Sequence, residues 1–215
     1  MRRITKKSAD LFNEYAAYDY AKQCEIDGSE EKLKEALHYY SSAAALGHYA
    51  AALDTARCYQ LGIGCDENSA GEAATIYYHQ AFDDKVRSYE SLGKLADFFA
   101  QGVRVPKNYV FAYALSNFAG AAGNDYASAL RDYLETKMSP EQIGKAQDMT
   151  HEWNDLSQIK DHKFFPDWMR EPPEYTLLQE EAKIKKLNEA ERDAGIAKWI
   201  LNLFEANKLS NKGNS

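Results

Sequence analysis

The chain has 215 residues, of which 45% are hydrophobic and 27% charged, with only 12 glycines and 5 prolines. That is ordinary for a folded soluble protein and enough for one globular domain or one repeat array with a real core. Net charge is −7, and four basic side chains (Arg2, Arg3, Lys6, Lys7) crowd the first seven residues, leaving 22 basic and 33 acidic residues on an acidic body that argues against nucleic acid as a partner.

In chain order the reading is helical, because no run alternates Val, Ile and Thr as a strand would. Residues 8–26 and 29–46 read as a first helix pair with Ser29 as cap and no glycine turn between them. Residues 49–60 (YAAALDTARCYQ) put Ala51, Thr55, Ala56 and Tyr59 on one helical face. Gly62 and Gly64 then supply the positive φ that ends a helix, and Ser69 with Glu72 is expected to form a capping box for the helix reaching Phe82. A helix at 86–101 turns Leu92, Leu95, Ala96 and Phe99 inward. Pro106 keeps the chain from re-entering helix, and Asn108 caps the next one. Helices at 125–137 and 139–153 follow, the second opened by Ser139, Pro140 and a capping-box Gln142. Residues 162–176 (HKFFPDWMREPPEYT) hold three of the five prolines and four aromatics, so regular helix stops there. Residues 177–209 return to helix, bent at Gly195. Leu187, Ala190, Ala194, Ala197, Leu201 and Phe204 make one stripe, with Glu181 and Lys185 paired opposite. The final SNKGNS is expected to be disordered.

The helices repeat. Tyr39, Tyr77 and Leu115 are spaced by 38 residues, and Ala43, Ala81 and Ala119 keep the same interval. Gly47, Lys85 and Gly123 stay in that register. Gly62 and Gly102 are 40 apart, so the loop slips while the helix phase holds. Small residues at the crossings let backbones approach, and Tyr and Phe fill the adjoining space. One such pair cannot bury its apolar face alone, so stacking is required.

The pattern Ala-x-x-x-Ala-x-x-Tyr-x-x-Gly-x-Gly, then Ala-x-x-Tyr-Tyr-x-x-Ala, is carried by Tyr59, Gly62, Gly64, Ala74, Tyr77, Tyr78 and Ala81. It returns as Phe99, Gly102, Ala112, Leu115, Ser116 and Ala119, with Arg104 at the second loop glycine. This resembles the Sel-like repeat family, a branch of the tetratricopeptide-like α-solenoids. The resemblance implies an all-α, right-handed superhelical solenoid of about four units, assigned to 8–154; after it the residues themselves set apart a proline/aromatic linker over 155–175 and a C-terminal amphipathic helix or cap over 176–209. That last helix has two readings, a cap on the last repeat or a surface for a partner or second copy.

Catalytic chemistry finds no purchase. Three cysteines are too few for a disulfide framework, and a Cys58–Cys65 bridge and two free thiols are both open. No C-x-x-C or paired histidines point to zinc. HEWND, from His151, begins like the zinc-protease H-E-x-x-H, but Asp155 stands where the second ligand belongs. LGIGCDENSAG lacks the Lys-Ser/Thr of a phosphate loop. No catalytic residues, metal or cofactor are therefore expected. No run approaches the roughly eighteen apolar residues of a membrane span, and no apolar stretch follows the basic start, so neither membrane insertion nor a secretory signal is expected and the cytoplasm is the default compartment.

A binding surface is the better expectation. In such solenoids the first helix of each unit lines the concave side. Positions off the apolar faces of those helices are Tyr18 and Lys22, then Asp54, Arg57 and Gln60, then Lys94, Asp97, Phe98 and Gln101. Their mixture of charge and aromatic surface suits a protein or peptide partner. The resemblance implies a non-enzymatic adaptor with an assembly or regulatory role in a bacterium, toxin neutralisation by an immunity protein being one version. The alternatives are a hydrolase with a site in the groove and a subunit that self-associates through the C-terminal helix.

Overall fold

A computed structural model describes residues 6–9, 13–65, 69–83 and 85–176. Among these the chain forms α1 (Lys6–Ala9), α2 (Glu14–Asp27), α3 (Glu30–Ala45), α4 (Tyr49–Leu61), α5 (Ala70–Phe82), α6 (Tyr89–Gln101), α7 (Tyr109–Ala121), α8 (Asp125–Glu135), α9 (Pro140–His151), α10 (Ser157–Lys160) and α11 (Asp167–Arg170), with no strand among the described residues. Pairs α2/α3, α4/α5, α6/α7 and α8/α9 are successive helix-turn-helix units. Each helix from α2 to α7 packs on its successor, while α9 folds back onto α7 and α6 also touches α8. The fold is an α-solenoid.

Local chemistry sets the helix ends. The first helices α2, α4 and α6 each stop at a glycine in the left-handed region, Gly28, Gly62 and Gly102 (φ 73°, 69° and 77°). The N–H of each cap donates to a carbonyl in the last turn, of Cys24, Cys58 and Phe98 respectively. Asn13, His48, Ser88, Asn108, Asn124 and Ser139 each accept an orphan N–H at a helix start. Ser139 and Gln142 form the expected capping box.

Several local expectations need correction. Residues 8–26 are not one helix: α1 ends at Ala9, and the Asn13 side chain starts α2. The first unit does have a glycine turn, at Gly28. It is too short to align with the Gly-x-Gly loops, because α3 begins two residues later. The third unit starts at Tyr89 rather than residue 86, since Asp83 Oδ1 accepts the N–H groups of Lys85 (2.8 Å) and Val86 (3.0 Å) and holds a turn there. Ser69 makes no side-chain cap bond to α5, so the Ser69–Glu72 capping box does not form. Ser29 occupies the cap position of α3, but its hydroxyl donates instead to Asp27 Oδ1 (2.7 Å).

The core is built from alanine at the crossings and aromatic rings between them. Ala21, Ala36, Ala51, Ala73, Ala96 and Ala119 are fully buried, as are the large side chains of Tyr40, Tyr78, Phe99, Phe111 and Leu115. The expected inward residues Leu92, Leu95, Ala96 and Phe99 are all buried. Cys24, Cys58 and Cys65 are free thiols. The Cys65 thiol points at the carbonyl of Cys58 (3.7 Å).

Residues 155–175 carry α10 and α11 and run back along the array as a strap, with α11 against α5. Phe165 meets Tyr78, Phe82, Phe99 and Phe111 edge-on at centroid distances of 5.2, 5.6, 5.6 and 5.3 Å. The Tyr78 hydroxyl donates to the carbonyl of Lys160 (2.9 Å), and His79 Nε2 donates to that of Glu171 (2.7 Å). His162 stacks on Phe111 at 4.7 Å. The C-terminal helix read at 176–209, with its capping or self-association roles, and the final SNKGNS lie outside the described residues beyond Thr176, as do Arg2 and Arg3. Among the described residues no helix is long and apolar enough to cross a membrane.

Gly64 has φ 72°, and a Cβ built there would lie 2.3 Å from the carbonyl oxygen of Leu33, whereas Gly62 (φ 69°) has open space around it. Gly62→Ala should cost about 1–2 kcal/mol from backbone strain alone. Gly64→Ala should cost more, because backbone must also move, and urea unfolding of the two variants measures the difference. Burial pushes the imidazoles of His79 and His162 down, the latter helped by Lys163. Below about pH 6.5 the unfolded chain therefore binds protons that the folded chain refuses, and stability falls with pH until the depressed folded values are reached. Thermal midpoints should drop from pH 7.5 to pH 5.5, with a smaller drop in His162→Phe.

Candidate functional site

The nine residues singled out from the sequence lie on the first helices, α2, α4 and α6, and all but Lys94 fall into two groups. The first group is a charge network between α2 and α4. The Tyr18 hydroxyl donates to Asp54 Oδ2 (3.0 Å), Lys22 Nζ lies 2.9 Å from the same carboxylate, and Arg57 Nε donates to Asp54 Oδ1 (3.0 Å). Arg57 also reaches Glu25 (2.8 Å), whose carboxylate accepts the Tyr40 hydroxyl (2.6 Å). The Tyr18 ring stacks on His48 at 4.3 Å.

Asp54 is well shielded, with 15% of its side chain exposed. Burial pushes its carboxyl up, but the bonds from Lys22 and Arg57 outweigh burial and hold it below the ordinary carboxylate range. Glu25 behaves likewise: burial raises it, and Arg57 and Tyr40 bring it down further. Burial and the Glu25 carboxylate push the Tyr40 phenol far up. Two acids and two bases thus neutralise one another, and Tyr18, Asp54 and Arg57 hold the first helices of units one and two in register.

The second group surrounds a cleft. Gln60, Asp97, Phe98 and Gln101 line a cavity of about 310 Å³ together with Leu61, Ala70 and Val103. Phe98 is 3% exposed and forms cleft wall rather than outer surface, its ring 6.3 Å from Tyr77. Gln60 accepts the Tyr77 hydroxyl (3.2 Å), and Gln101 donates to Asp97 Oδ2 (2.8 Å). Leu61 stands at the rim, 64% exposed. Lys94 lies apart from the cavity lining, with Nζ 3.9 Å from the centre of the Tyr126 ring on α8. Burial and the neighbouring Asp97 carboxylate push the Tyr126 phenol up to about 12.

Sequence reasoning passed over Glu25, Leu61, Val103 and Tyr126. Leu61 and Val103 flank the cap glycines Gly62 and Gly102, where an apolar residue ordinarily packs against its own helix. Glu25 looked like one acid among many. Its signal was its position, one turn past Lys22 on the same helix face. Among the described residues no group of three or more His, Cys, Asp and Glu is arranged to hold a metal ion.

Removing Arg57 would leave two shielded carboxylates short of a donor. Arg57→Ala should cost about 1–3 kcal/mol, and Arg57→Lys should recover only part of it, because one ammonium cannot span both acids. Chemical denaturation of both variants checks this. The network also dates the acid limb of stability: its contribution is present above about pH 4 and is lost as pH falls through the lowered values of Asp54 and Glu25.

No protein-family model matches the chain, and no curated protein matches it. Among solved structures the chain is similar to a protective antigen present in uropathogenic Escherichia coli strains, itself described as displaying an SLR fold. The TM-score is 0.55 at 23% identity, over 76% of this chain. The matched part is 33% of the antigen's length, so the likeness concerns one third of that protein. At this identity the likeness is one of fold, and it agrees with the repeat spacing, the glycine-ended first helices and the four helix pairs: the chain has the Sel-like repeat fold.

Proposed function

We propose that the chain is a non-enzymatic scaffold that holds a protein or peptide partner along the groove formed by its first helices. The observation that carries this reading is the cleft between α4 and α6, where four of the nine sequence-selected residues come together around an apolar wall with a polar rim. Buried apolar wall, amide rim and an exposed leucine at the edge are the ingredients of an anchoring pocket for a partner side chain. The neighbouring first helices extend the face. Tyr49 meets Ser88 (2.7 Å) between α4 and the start of α6, and Lys94 meets Tyr126 between α6 and α8. A partner segment lying across several units would touch side chains that are already held in place, which lowers the entropy lost on binding. The charge network of Tyr18, Asp54 and Arg57 is the rigid end of this face. A regulatory or assembly role in a bacterium accords with such a scaffold, and neutralising a toxin is one version of it.

The test uses site-specific crosslinking. A photo-crosslinking residue placed at Gln101 should trap one protein from cells that express the chain, and the same residue at Lys145, on the exposed side of α9, should not. Equal trapping at both positions, or none at Gln101, would overturn the groove reading. Arg57→Glu is a poor probe of binding, because it breaks the network that registers α2 on α4.

A further inference from the structure

Several acids of the first two units are held in ion pairs. Lys6 and Lys32 pair with Glu35, Lys22 with Asp54, and Arg57 with both Glu25 and Asp54. The first helix of the third unit, α6, has no ion pair among the described residues. Glu90 and Asp97 sit seven residues apart on α6, two turns along one face, and neither makes an ion pair among the described residues. Lys94 stands between them in sequence, yet its ammonium rests over the Tyr126 ring. Asp97 accepts from Gln101 and is also hydrogen-bonded by the Tyr126 hydroxyl, yet no cation among the described residues pairs with it, and its carboxylate keeps acceptor capacity. That carboxylate borders the apolar cleft walled by Phe98 and Val103 and rimmed by Leu61.

A carboxylate with no ion pair beside an apolar pocket, on a chain with 33 acidic residues against 26 basic, selects for its complement. We infer that the partner segment, on the groove reading above, presents an aliphatic or aromatic side chain to the cleft of Leu61, Phe98 and Val103 and a lysine or arginine to Asp97. The apolar group supplies the anchor by displacing water from the Phe98 wall. The cation supplies direction: it sits on the α6 side, where Asp97 accepts it and Glu90 extends the negative field along the same face.

A random dodecapeptide phage library panned on the full chain tests this. Enriched sequences should carry Lys or Arg close to Leu, Ile, Phe or Trp. In fluorescence polarisation with the best such peptide, Asp97→Asn should weaken binding by about threefold to tenfold and Leu61→Asp by about tenfold or more, with thermal melts unchanged by either. Raising salt from about 50 to about 300 mM should also weaken it. Enrichment of neutral or acidic peptides, or affinities within twofold of wild type in both variants, would overturn the inference and leave the groove reading standing if a Gln101 crosslinker still traps the peptide. Failure to enrich any peptide, with no crosslinking at Gln101, would sink both.

Discussion

Everything in this array depends on how closely its helix backbones approach one another. Alanines at the crossings are fully buried, and at Gly120 even one added carbon would fall 2.7 Å from the Ser128 hydroxyl on α8. With no side chain to hold the helices apart, aromatic rings can wedge beside the crossing rather than within it. Tyr40, Tyr78 and Tyr113 do this in three successive second helices, and each hydroxyl emerges to a polar partner: Glu25, the carbonyl of Lys160 and Glu135. Close approach thus fixes the ring positions, and the ring positions fix where polar groups reach the surface.

The two sides of the array use that arrangement differently. On the first-helix side, side chains form a paired charge lattice at one end and a carboxylate with no ion pair beside an apolar cleft further along. On the other side the aromatic wall is already occupied by the chain's own strap, with Phe165 among four rings. The apolar capacity of units two and three is therefore spent internally on one side and left accessible at the α4/α6 cleft on the other. This asymmetry supports assigning recognition to the first helices.

Much of the fold was legible in the sequence because its determinants are local and periodic. The 38-residue spacing of Ala43, Ala81 and Ala119, the cap glycines Gly62 and Gly102, and the Ser139–Gln142 box all act through neighbours within a turn or two. Misreadings arose where a short-range competitor was hidden. Asp83 captured the amides that would have begun α6, Asp27 captured the Ser29 hydroxyl, and Gly28 ended α2 without the usual spacing. Arg104 shows the limit of motif logic: it replaces a glycine yet keeps the left-handed conformation (φ 61°) that Gly64 has in the preceding copy. The candidate site was only half legible. Helical phase chose the correct face, but whether Arg57 is free or Phe98 is covered depends on partners tens of residues away.

The strap has a consequence for how the molecule comes into being. A pure repeat array touches only its neighbours, so each unit can settle as it leaves the ribosome. Here Tyr78 waits for Lys160, 82 residues later, and Tyr59 waits for Glu174, 115 residues later. Such distant contacts raise contact order and slow the final closure. During synthesis the second and third units spend an interval with their aromatic wall bare, a sticky intermediate whose lifetime is set by translation. Once the strap arrives, units that would otherwise melt one by one are tied into a single cooperative body.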